Sequence, residues 1–171
     1  MTETVIQWFV STLGGSAAKE VIVFLISMIP ILELRGGLLA AGPAFLDIPI
    51  LRAIPICIVG NIIPVPFILL MIRWIFKIMR KNKSLGKLVD KLENKAMSKK
   101  DQIEKYGFWG LVLFVGIPLP GTGAWTGSLI AALLGMKFKK AFPAVIIGIL
   151  MATVIMTFIS YGLLGGVSVL G

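Results

Sequence analysis

The chain has 171 residues, of which 57% are hydrophobic, with 17 basic and 8 acidic side chains, one cysteine and no histidine. Soluble domains run nearer ~45–50% apolar, so this composition points to an integral membrane protein. A lone Cys57, no histidine and scattered carboxylates exclude an internal disulfide and offer neither zinc ligands nor a nucleophile–base pair. Enzyme, metal and cofactor readings are therefore set aside, with no catalytic residue assigned.

Residues 1–20 carry Glu3, Glu20 and Lys19 but no basic start or small-residue cleavage site, so no signal peptide is expected. Val5, Ile6, Trp8, Phe9 and Leu13 suggest an amphipathic stretch at the outer interface. The apolar segment at about 20–45 is broken by Pro30, Gly36 and Gly37 and is expected to form a helical hairpin. The next, at about 53–76, is continuous enough to span a bilayer. Residues 73–105 hold eleven basic side chains against four acidic ones, the signature of a cytoplasmic loop. Within residues 81–105, Leu85, Leu88 and Leu92 recur at helical spacing among lysines. That suits either an amphipathic helix on anionic lipid headgroups or a solvated helical linker. A second broken segment at about 107–135 and a second span at about 141–165 complete the chain. The net charge of +9 is concentrated beside membrane segments, so nucleic acid is not an expected partner.

The sequence repeats itself. Pro30 and Pro118, Pro55 and Pro143, and Gly60 and Gly148 are each 88 residues apart, and Arg35–Ala41 resembles Thr126–Ala132 after a three-residue gap. Two repeats, 17–80 and 105–168, follow, within a single membrane domain. If all four apolar parts spanned, Lys137, Lys139 and Lys140 would lie outside, against the positive-inside rule. If each broken segment is re-entrant, fourteen of the seventeen basic residues lie in the cytoplasm. The preferred fold is therefore all-α, with two inverted-topology repeats, each a re-entrant hairpin followed by a spanning helix. Such hairpin tips must be buried against protein or line a wet cavity.

Glu33 and Arg35, flanked by apolar runs, are the leading functional candidates. Charges at membrane depth are costly and usually mark an ion, proton or substrate path. Glu33 is assigned proton coupling and Arg35 with Gly36 an anion contact; mutual neutralisation of the pair is the alternative. The second tip supplies Pro118, Pro120, Gly121, Thr122, Gly123, Trp125 and Thr126. Its prolines stop a helix and its glycines permit close backbone approach, leaving a half-helix start that suits an anion. A plain tight turn is the alternative, and the G-x-G-x-x-G spacing of a nucleotide loop is missing. Asn61 either hydrogen-bonds across to a tip or faces solvent in a kink.

Glu33-Leu34-Arg35-Gly36 and the run Pro118-Leu119-Pro120-Gly121-Thr122-Gly123-Ala124-Trp125-Thr126-Gly127 resemble the small multi-drug export protein family over nearly the whole chain. That family is in turn similar to the DedA/SNARE-associated membrane proteins. The resemblance implies paired re-entrant hairpins and movement of polyprenyl-phosphate or other lipids, with possible proton coupling. The second tip departs from the DedA pattern, carrying glycines and threonine where that pattern has acidic residues and arginine.

The expected function is thus a secondary transporter or lipid translocase for a small amphiphile or phosphate-bearing lipid, coupled to protons. A lipophilic-cation exporter is the alternative, and a non-transporting scaffold recruiting partners through 81–105 is a third class. Expected partners are membrane lipids, that substrate and a second copy in a homodimer. The expected location is the inner membrane, multi-pass, with basic loops 73–105 and 137–140 cytoplasmic.

Overall fold

The computed structural model describes residues 15–163; the expected interfacial stretch from Val5 to Leu13 lies outside them. Described residues form helices and no strand. In order these are α1 (Gly15–Met28), α2 (Glu33–Ala41), α3 (Ile50–Ile62), α4 (Pro64–Met79), α5 (Lys83–Met97), α6 (Lys100–Glu104), α7 (Gly107–Gly116), α8 (Ala124–Leu133) and α9 (Phe138–Thr157), continued by a π-helical turn, Phe158–Leu163. Among the described residues, two stretches are long and apolar enough to cross a membrane, Ile50–Met79 and Phe138–Gly162.

Local chemistry places the boundaries. Pro30 has no N–H and disfavours helical geometry at Ile29, so α1 stops at Met28. The chain turns by directing the Leu32 and Glu33 amides to Ile29 O at 3.2 and 2.8 Å. Between α3 and α4 the prolines 64 and 66 withdraw two donors, and the helix is interrupted at Ile63. The expected linker helix over 81–105 resolves into two elements. Asn82 caps α5 by accepting from the Ser84 amide at 2.9 Å, and α5 closes at Ser98, whose hydroxyl donates to Lys95 O.

Packing divides the chain into two compact units, one of residues 1–61 with 153–171, the other of residues 62–152. In the first, α1 packs along α2, with Val23, Leu34, Leu38, Ala53 and Cys57 in the core. A Cβ on Gly60 would lie 2.8 Å from Phe24 O, so only glycine lets α3 approach α1 this closely. Ser160 and Tyr161 of the π-turn close the far end of α2. Ser160 Oγ donates to Leu38 O at 2.7 Å. Tyr161 OH is in hydrogen-bonding range of Ile48 O at 2.8 Å and Ala41 O at 3.2 Å. The amide of Gly42 bonds Leu38 O and Leu39 O, that of Leu46 bonds Ala40 O and that of Ile48 bonds Ala41 O, so all four terminal carbonyls of α2 are satisfied locally and the hydroxyls are additional partners.

In the second unit α4 lies along α8, and Val65, Leu111, Val115, Ile130, Val145 and Ile149 form the core. Arg80 ties the start of the linker to α5 through ion pairs with Asp90 and Glu93. A Cβ on Gly148 would lie 2.9 Å from Val112 O. Gly60 and Gly148, and the carbonyls they meet at Phe24 and Val112, are both 88 residues apart. Helix ends follow the same offsets: Met28 and Gly116, like Ile50 and Phe138, are 88 apart, while Glu33 and Ala124 are 91 apart. These helix ends and close glycine contacts thus recur at the spacing of the paired prolines.

Candidate functional site

Each broken segment is observed as helix, turn, helix. The first turn delivers Glu33 as the opening residue of α2, with φ of +51°, a left-handed conformation that side chains with a Cβ rarely adopt. Its side chain is buried, 4% exposed. Arg35 is half-buried and close enough to feel the Glu33 charge. Gly36 is half-buried in the same turn, its amide bonded to Leu32 O at 2.7 Å. Glu33, Arg35 and Gly36 therefore lie together at the start of α2, a helix whose Leu34 and Leu38 are buried.

The second turn is longer and held by its threonine. Thr122 Oγ1 lies 2.8 Å from Leu119 O and 3.0 Å from Ile117 O, and it accepts from the Leu119 amide at 3.3 Å. Gly121 and Gly123 have φ of +74° and +134°, which the glycines supply without strain. Pro120 and Gly121 are exposed, Pro118 and Thr122 half-exposed, and Trp125 and Thr126 half-buried in the first turn of α8.

Lys99, which the sequence did not single out, reaches this turn. Its ammonium donates to Gly121 O at 2.8 Å and to Pro120 O at 3.3 Å. The tip that lacks charge of its own thus carries a cation delivered by the linker. The only signal in the sequence was one more lysine in a lysine-rich run, with its partners 21 and 22 residues away. Beside the turn, Tyr106, Gly110, Leu113, Phe114, Ile117, Leu119 and Thr122 line a mostly apolar cleft of about 240 Å³.

Asn61 ends the first unit's part of α3 with its side chain 2% exposed. Its Oδ1 has no hydrogen-bond partner among the described residues. A buried amide oxygen in that state is costly and marks a place for a polar ligand or water. No group of three or more potential metal ligands occurs among the described residues.

No curated protein and no solved structure matches the chain. A family model described as "Putative small multi-drug export protein" matches residues 33–155. The match starts at Glu33 and takes in the linker, the second turn and most of α9. A family named for export, two apolar helices of spanning length and a buried charge in a helix break describe a membrane protein of transporter type. The chain belongs to the small multi-drug export protein family.

Proposed function

We propose that this protein is a proton-coupled secondary transporter that moves a small amphiphile, with a phosphate-bearing lipid as the preferred substrate class. The observation that carries the reading is Glu33, a buried carboxylate in left-handed backbone at a helix break, next to Arg35. A carboxylate buried in apolar sequence beside a cation is the kind of group that marks an ion or proton path in a membrane protein. Arg35 offers the planar fork of donors that phosphate accepts. Within the second unit, the cleft at the second turn has an apolar lining of the kind that takes hydrocarbon, and the resemblance to DedA proteins motivates a phosphate-bearing substrate.

A second reading, export of a lipophilic cation, is favoured by the family's description and by Tyr106 and Phe114 in the cleft. The two readings separate in proteoliposomes containing a pH-sensitive dye. Adding a polyprenyl phosphate should drive proton movement that is lost in Glu33→Gln, which keeps the Cβ and shape of the residue, and in Arg35→Gln. Proton movement driven by a lipophilic cation, and surviving Arg35→Gln, selects the second reading. Normal transport by Glu33→Gln removes both.

A further inference from the structure

From Phe67 onward α4 is two-sided. Phe67, Leu70, Met71, Trp74 and Ile78 recur at spacings of three and four and are all exposed, forming an apolar stripe on one side of the helix. Phe76 lies on the opposite side and is buried. On the flank between them, at spacings of four and three, come Arg73, Lys77 and Arg80. Trp74 at this level is the side chain expected where a span meets the headgroups. The flank is not flat. Arg73, Phe76, Lys77, Arg80, Glu93 and Leu133 enclose a cavity of about 300 Å³ within the second unit.

The charges in this cavity are unevenly matched. Arg80 is held by Asp90 and Glu93. Arg73 and Lys77 have no ion-pair partner among the described residues, so two cations face a space floored by Phe76 and Leu133. The neighbouring α5 presents Leu85, Leu88 and Leu92 outward, 40–47% exposed, as a helix lying on a lipid surface would.

We propose that this cavity binds the phosphate of an anionic lipid headgroup, held by Arg73 and Lys77, with the acyl chains along the Phe67–Ile78 stripe. Arg80, already neutralised, positions α5 as one wall. The site shares no residue with the Glu33–Arg35 turn and does not depend on what is transported.

The test uses the detergent-purified full chain, following thermal unfolding as dioleoylphosphatidylglycerol is titrated in. Saturable stabilisation is expected, with half-saturation roughly thirtyfold higher in Arg73→Gln/Lys77→Gln, since each surface cation contributes about fivefold. Lys91→Gln/Lys95→Gln removes the same charge from α5 outside the cavity and should raise half-saturation much less; an equal rise in both variants would show general surface attraction and overturn the site. Equal half-saturation in wild type and cavity variant, or equal stabilisation by dioleoylphosphatidylcholine, overturns the proposal. Stabilisation by inorganic phosphate at the same concentration, lost in the cavity variant, would keep the site but replace the lipid with a free anion. If the glutamine variant does not fold, Arg73→Lys/Lys77→Arg serves instead. Native mass spectrometry should then show it retaining phosphatidylglycerol as wild type does, and loss of that lipid despite the retained charges would count against the site.

Discussion

Glu33 combines two unfavourable features in one residue, a buried carboxylate and a left-handed backbone. A non-glycine residue held there costs ~1–3 kcal/mol and survives only where the surroundings dictate it. The motif Glu33–Gly36 exposed the charge to sequence reasoning, but nothing in the order of residues revealed the backbone strain. Glycine contacts were legible in the same partial way. The 88-residue spacing of Gly60 and Gly148 showed that they correspond, while the reason, a carbonyl under 3 Å from any added Cβ, is tertiary. Gly60→Ala and Gly148→Ala should each destabilise by ~1–3 kcal/mol through overpacking. Gly86→Ala in α5, where the nearest non-local atom is 3.7 Å away, should instead gain ~0.5–1 kcal/mol from helix propensity. Denaturant unfolding of the three variants in one detergent decides this, and equal responses would discard the close-contact explanation.

Among the elements, the breaks and spans were readable because proline and glycine act locally on the backbone. The linker was readable only as basic and helical. Its division at Ser98 and Lys99, and the reach of Lys99 to Pro120 and Gly121, depend on contacts with no periodic trace. The exposed leucine row of α5, by contrast, lies where its spacing put it. Lys99→Met keeps the stem and removes the ammonium from the second turn. Amide exchange across residues 117–123 should then quicken about fivefold, the equivalent of ~1 kcal/mol, whereas Lys95→Met should have no effect there. Unchanged exchange in Lys99→Met would show that the turn is held by Thr122 alone.

For the whole molecule, the repeats drawn from sequence, 17–80 and 105–168, do not coincide with the compact units. One unit combines the first repeat's broken segment and half of its span with residues 153–171; the other takes residues 62–80 from the first repeat. Each repeat thus gives the end of its span to the other's core. Similarity between repeats records correspondence and not packing, so this exchange was invisible in the sequence. Fragments 1–80 and 81–171 should accordingly be degraded when produced alone and give protease-resistant protein only when produced together. A resistant single fragment would show that one repeat suffices.

The closure of α2 by the π-turn also has a consequence in time. Leu38 and Ala41 are made early, and their hydroxyl partners Ser160 and Tyr161 follow 122 and 120 residues later. At ~5–20 residues per second of synthesis, that is a wait of about 6 to 25 seconds. Over that interval the amides of Gly42 and Ile48 already satisfy Leu38 O and Ala41 O, so the two hydroxyls add a second, late clasp to an end that is capped from the start. A ribosome that stalls in α9 therefore leaves the first unit with a capped helix that is not yet tied to the residues that finish the unit.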